Sequence, residues 1–511
     1  MTDTQRWRRR AVLRGVGAAL GAGAVGAATA TSTAERRPAA GRPVDSAVAG
    51  ADVAAASAQS ATSWPQFAAD PANTGISPAS GPTESTVAWT FPTGDPVATP
   101  TPTPENAGAS GGDTPTGTPA DPGPAVYSSP AVADGTVYVG STDGNLYAVD
   151  TVGGDENWAF ETGGQVLSSP TVVDGTVYVG SHDGSVYAVD AAGGDEDWRF
   201  PADGNVFSSP TYADGTLYFG SQAGTCYAVD AASGEEVWSR SLGDRIDSTP
   251  AVVDGVVYVG VWNSDQSGSV DALAAESGDE NWSFPAQGEV PSAPAVVDGT
   301  VYFGDYGGLV YAVDVASGEL DWGRQMDGFV LPSPVVVDGT LYVGCHDAKL
   351  WAFDATNGDV EWSYETDGEV FSSPAYADGV LYFGSWDGNL YAVDSAGEEV
   401  FTVETDDRVY SSPAVAGGTV YVGSADGSLY AVGSGGGSGA PTDGTGTPTD
   451  DGSGGTGTDG SGSGGTPTDG DDGTDAPTGT TSDGGPGFGV LAGLAGVGAA
   501  AWHRVRRAGD D

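Results

Sequence analysis

Residues 166–198 read VLSSPTVVDGTVYVGSHDGSVYAVDAAGGDEDW, and the reading of this stretch decides the fold. It holds three short alternating runs rich in Val and Tyr (169–173, 176–180 and 185–190) and a fourth that carries Trp198 (195–200). Alternation with β-branched and aromatic residues is the mark of half-buried pleated strands. Asp174-Gly175 joins the first two runs and Asp183-Gly184 the next two. Asp-Gly between such runs predicts two-residue hairpins, because both turn positions require positive φ. The unit is therefore a four-stranded antiparallel sheet. Working outward, its Ser-Pro mark at Pro170 returns at Pro130, Pro210, Pro334, Pro374 and Pro413, as Thr-Pro at Pro250 and as Ala-Pro at Pro294. A repeat of about 40 residues that cannot bury both faces alone must stack on its neighbours. Eight such units predict an all-β fold, an eight-bladed β-propeller.

Seven units close on an aromatic strand, marked by Trp158, Trp198, Trp238, Trp282, Trp322, Trp362 and Phe401. The eighth runs out at Ala431-Val432. An unpaired sheet edge is a liability, and a matching strand stands upstream around Trp89 (residues 87–91). This segment is expected to complete the last blade and fasten the two ends of the ring together.

The runs YAVD, SSP and YVGS, with the opening Trp64-Pro65-Gln66-Phe67 and Asn73-Thr74-Gly75, resemble the repeats of the pyrroloquinoline-quinone-type propellers. That superfamily includes quinoprotein alcohol dehydrogenases and BamB-like outer-membrane assembly factors. The resemblance spans residues 64–432 and implies the propeller fold, with a quinone and calcium in the enzymatic members.

The flanks read as delivery and tether. Arg9-Arg10-Ala11-Val12-Leu13-Arg14 and the Gly/Ala-rich run after it resemble a twin-arginine signal (1–30), which would export a folded protein. Residues 31–61 read as a linker, and 93–124 as a disordered insertion in the propeller domain (62–433), since a Pro/Thr/Gly/Asp run has too little apolar surface to order itself. Residues 434–485 form a Gly/Ser/Thr/Asp-rich flexible stalk. Pro486-Gly487-Phe488, an apolar stretch to Trp502 and Arg504, Arg506 and Arg507 resemble the PGF-CTERM sorting tail of archaeal surface proteins (486–507). The resemblance implies cleavage and a lipid anchor; a retained tail would be a short membrane anchor, with its basic end inside. Both place the propeller on the extracellular face, in contact with the membrane only through this tail.

There are 70 acidic residues against 17 Lys plus Arg, a formal net charge of −53, and Lys349 is the sole lysine. Such a chain repels itself unless salt screens it, which points to a halophilic setting. No basic groove for nucleic acid can be built. Cys226 and Cys345 fall in different units and read as two lone buried thiols.

Positions that vary between repeats at one mouth of the ring are the candidates for function. Ahead of each Ser-Pro mark stand Tyr127, Leu167, Phe207, Asp247, Pro291, Leu331, Phe371 and Tyr410. After each Tyr-Val-Gly strand stand Thr142, His182, Gln222, Trp262, Tyr306, His346, Trp386 and Ala425, with a four-residue insertion following Trp262. A polar and aromatic rim suits a small ligand, a glycan or a peptide. His182 and His346 lie four blades apart, too far to share a zinc ion. The repeated serines have no His partner for nucleophilic catalysis, and most Asp residues sit in turns. The expected function is a non-catalytic, monomeric scaffold or binding module for a protein or envelope polymer, with no cofactor and no metal. The alternatives are a quinoprotein dehydrogenase using the quinone with calcium, with Asp247 or Asp305 as its acid, and BamB-like assistance in envelope assembly.

Overall fold

The computed structural model describes residues 63–94 and 124–433. The expected signal, first linker, stalk and sorting tail lie outside the described residues, as does most of the expected insertion. Thr93 and Gly94, at its head, are held in the ring: the Thr93 amide donates to Gly427 O at 2.8 Å and the Gly94 amide to the Tyr147 hydroxyl at 3.0 Å.

Eight antiparallel sheets follow one another around a central channel. In the second blade the strands are Thr171–Val173 innermost, then Thr176–Gly180, Ser185–Asp190 and Glu196–Pro201 outermost. The eighth blade is completed by Val87–Pro92, which pairs antiparallel with Ser428–Gly433, with Trp89 opposite Ala431. The ring closes as the sequence predicts, with strands from the two ends of the propeller in one sheet.

The two Asp-Gly turns differ. Asp174 and Gly175 have φ of 49° and 82°, the two-residue turn expected. At the second turn only Gly184 is left-handed, with φ of 86°. The expected two-residue hairpin is corrected to a three-residue loop: the Ser181 amide donates to Ser185 O at 2.9 Å and the Gly184 amide to Ser181 O at 3.1 Å. Asp183 accepts from the Ser185 amide and the Tyr187 hydroxyl, which holds it right-handed and leaves positive φ to glycine alone. This geometry places His182 and its counterparts as the first residue of each loop. In blade 4 the insertion lengthens the hairpin, with strands Val256–Trp262 and Gly268–Ala274, so Trp262 belongs to a strand.

Each blade grips the next through its outer tryptophan. The Trp158 indole donates to Ala191 O of blade 2 at 3.0 Å, and the same bond recurs from Trp198, Trp238, Trp282, Trp322 and Trp362. Trp89 makes it to Thr151 O of blade 1 at 3.1 Å. Phe401 faces blade 8, whose outer strand arrives from upstream in the chain. The blade-8 position that matches Ala191 is residue 434, outside the described residues.

The lead-in segment crosses the channel. Trp64 exchanges amide–carbonyl bonds with Val132 in blade 1, and Pro65 O accepts from Val172 in blade 2. Gln66 then meets Tyr212 in blade 3, while Pro71 O and Ala72 O accept from Val252 and Val296 in blades 4 and 5. Ile76–Ser77 runs parallel to Ala375–Ala377, adding a fifth strand to blade 7, and Ser77 Oγ donates to Val415 O in blade 8. The inner edge of every blade presents backbone groups to the channel, and this one segment bonds to those of seven of the eight blades. A ring of serines adds to it: the Ser129, Ser169, Ser333, Ser373 and Ser412 amides each donate to a hydroxyl of an adjoining blade. Ala293 breaks the ring in blade 5, and there Asn73 Nδ2 donates to Thr249 O, Pro250 O and Pro294 O.

Cys226 and Cys345 are free and buried, as expected, and burial pushes the Cys226 thiol up to about 12.

Candidate ligand-binding mouth

In every blade the residue at this position, the first of the loop except for the strand residue Trp262, is pinned by its own backbone. The His182 amide donates to Gln165 O, Gln222 to Asn205 O, Trp262 to Arg245 O, Tyr306 to Glu289 O, His346 to Phe329 O and Trp386 to Glu369 O, all at 2.8–3.0 Å. These bonds set the two expected rings of side chains side by side. They also bring in a third ring that the sequence reading missed: Gln165, Asn205, Arg245, Glu289, Phe329, Glu369 and Arg408. Each stands two residues before a rim position, so the period-two alternation of an extended segment was the signal that could have found it.

On one side of the mouth the rings form an unbroken belt. Trp262 meets Tyr306 at 5.1 Å between centroids, Tyr306 meets Phe329 at 5.4 Å, and Phe329 meets His346 at 5.6 Å. His346 lies 4.0 Å from Phe371, which stacks on Trp386 at 4.4 Å with an interplanar angle of 2°. Trp386 meets Tyr410 at 5.1 Å, and Tyr410 meets Tyr127 at 4.7 Å. Across the ring His182 pairs with Phe207 at 6.1 Å. Of the predicted rim, Leu167, Pro291 and Leu331 are half-buried and make no such contacts.

Two cations cover the belt: the Arg245 guanidinium lies 4.6 Å from the Trp262 centroid and that of Arg408 5.1 Å from Trp386. Asp247, 5 % exposed, is committed. Its Oδ2 is 2.6 Å from Arg245 Nη2 and its Oδ1 accepts from Gln222 Nε2 at 3.0 Å. Asp305 is fully buried and saturated by the Leu309 and Gly288 amides and the Tyr311 hydroxyl. It braces a loop rather than facing the mouth.

The mouth is short of hydrogen bonds. His182 Nε2, Arg245 Nε, Trp262 Nε1, His346 Nε2, Trp386 Nε1 and Tyr410 Oη are buried with no hydrogen-bond partner. Leaving such a group unpaired costs about 1–3 kcal/mol, and their convergence on one surface is the mark of a site that other atoms complete. Burial holds His346 down to about 3 and also lowers His182, so both imidazoles are neutral near pH 7. Burial pushes Tyr410 up to about 12 and raises Glu289 and Glu369.

The enzymatic members of the resembling superfamily imply a quinone with calcium. Calcium requires six to eight oxygen ligands, carboxylates among them. Among the described residues no three His, Cys, Asp or Glu side chains come together as a metal-binding group. The two acids nearest the role, Asp247 and Asp305, are already committed. The residues present do not fit the calcium half of that pair.

Comparison with known proteins fits this architecture. Residues 213–440 match the family model described as the beta-propeller of beta-alanine-activating enzyme, and residues 74–209 that of outer membrane protein assembly factor BamB. No curated protein matches the sequence. Among solved structures, BamB from Moraxella catarrhalis is 18 % identical at a TM-score of 0.53, over 60 % of this chain and 96 % of its own. A europium-containing methanol dehydrogenase is 14 % identical at 0.60, over 73 % and 98 %. The quinohemoprotein alcohol dehydrogenase from Comamonas testosteroni is 16 % identical at 0.58, over 74 % and 82 %. At these identities the likeness is one of fold.

Proposed function

We propose that this propeller is a non-catalytic binding module, exported by the twin-arginine route, tethered outside the cell by its C-terminal tail and presenting its mouth to an envelope partner. The observation that carries the binding role is the convergence of five unpaired buried polar atoms on a continuous aromatic belt, with His182 Nε2 a sixth across the ring. A belt kept only for packing would pair or omit those atoms. The lead-in segment backs the mouth, meeting the inner strands five residues beyond the rim, at Val132 against Tyr127. The mouth is thus a blind depression, suited to holding a ligand rather than passing one. Export and tethering rest on the sequence of the two ends alone.

The quinoprotein alternative is separated by titrating pyrroloquinoline quinone, with calcium, into the purified propeller in high salt. The binding-module reading expects no saturable heat. Stoichiometric binding together with dye-linked alcohol oxidation would replace it with the enzyme. BamB-like assistance predicts a stoichiometric partner from solubilised envelope that is itself an assembling surface protein.

A further inference from the structure

Resting on the binding-module reading, we infer that the mouth takes the end of an acidic saccharide chain, a uronate being the simplest. The unpaired atoms define what a ligand must offer. Trp262 Nε1, Trp386 Nε1 and Arg245 Nε can only donate. They call for acceptor oxygens, and an oxygen-poor apolar ligand would leave each of them unsatisfied. His346 Nε2 and Tyr410 Oη serve either role, which suits hydroxyl groups.

Charge points the same way. The described residues hold six basic side chains: Arg199, Arg240, Arg245, Arg324, Lys349 and Arg408. Two of these six stand at one mouth, each over a tryptophan, and Arg245 is also paired there with Asp247. Lys349 pairs with Glu365 at 3.1 Å, and Arg324 donates to Gly358 O and meets Asp359 at 3.4 Å. Arg408 forms no ion pair among the described residues. A guanidinium held over a ring and outside any close ion pair can receive a carboxylate. Glu289 and Glu369 border the same space, and burial raises both of their carboxyls above the usual range.

Shape completes the description. A pyranose ring shows a face of C–H bonds that rests against the negative face of an aromatic ring. The belt supplies several such faces, and because the lead-in segment closes the channel behind it, a polymer is held by its end. The unpaired atoms are screened by neighbouring half-buried rings, so a ligand reaches them by turning those rings aside, and tryptophan emission reports the event.

The test is calorimetry and tryptophan fluorescence on the whole propeller, with tetragalacturonate and its fully methyl-esterified form, at about 1 M KCl to screen surface charge. The acid is expected to bind at least about tenfold tighter than the ester. Arg408→Met should abolish that preference, and Trp386→Leu should abolish binding of both, with circular dichroism confirming that each variant is folded. Equal binding of acid and ester would overturn the acidic specificity and leave the binding module standing. Binding of neither at millimolar ligand, with wild-type protein folded, would overturn the saccharide altogether. The module reading is then judged separately, by whether photo-cross-linking from the mouth captures one stoichiometric envelope component that Trp386→Leu loses.

Discussion

Ala348 occupies, in blade 6, the loop position that is glycine in six of the other blades, and it adopts φ of 64°. A left-handed non-glycine residue costs about 1–2 kcal/mol. Ala348→Gly removes that cost, while glycine adds freedom to the unfolded chain. The expected net effect is a gain of about 0.5–1 kcal/mol in chemical denaturation, with the neighbouring His346 undisturbed. His346 makes a second test at this scale. Its folded value of about 3 lies below the ordinary 6.5, so between those limits the unfolded chain binds a proton that the folded chain refuses. Its contribution is complete above pH 6.5 and is lost as pH falls from there toward about 3. His346→Gln should flatten that part of the pH–stability curve, and in the parent protein the imidazole carbon resonances should not titrate between pH 8 and 5. A midpoint near 6.5 would place the ring in solvent.

The elements repeat, but their joins do not. Six tryptophans clasp the next blade within an ordinary blade-to-blade contact, whereas Trp89 does so from a strand that closes the whole ring. Truncating a buried Trp costs about 3–5 kcal/mol, and Trp89 is half-buried, so Trp89→Ala should cost about 2–4 kcal/mol. Trp158→Ala should cost a similar amount. The two differ in mode. Loss of Trp89 should expose residues 63–92 to limited proteolysis before the rest unfolds, and Trp158→Ala should not. Equal protease patterns would mean that closure does not depend on this strand. The three-residue loop that replaced the expected second hairpin belongs here too, since the choice lay with the Asp183 carboxylate and its bonds to Ser185 and Tyr187.

At the scale of the whole molecule, charge dominates. A net −53 at low ionic strength repels across distances of order 10 Å, and at about 1 M salt the range contracts to about 3 Å. Thermal melting followed from about 1 M down to about 0.1 M KCl should therefore show a steep, continuous loss of stability. A melting temperature that stays constant over that range would remove the argument for a salt-rich setting. The aromatic belt should outlast this change, because its contacts are short and screened by protein.

The sequence by itself determined the repeat, the number of blades, the Asp-Gly turns of the inner hairpins and the strand that closes the ring. Those features follow from local rules: alternation sets the strands, positive φ selects the turn, and a missing eighth outer strand demands a donor. It also picked out the rim positions, because departures from a regular repeat are visible against the other copies. Only the tertiary structure decided what those residues do together. It showed that Asp305 is spent inside its blade, that Asp247 is paired with Arg245, and that residues 64–77 cross and close the channel. It added the third ring, with Arg245 and Arg408 over their tryptophans, and the unpaired donors between them. The physical reason is that pairing is a property of distance in space. Residues as far apart in sequence as Tyr127 and Tyr410 become neighbours only when the ring closes, and whether a polar atom finds a partner is settled there.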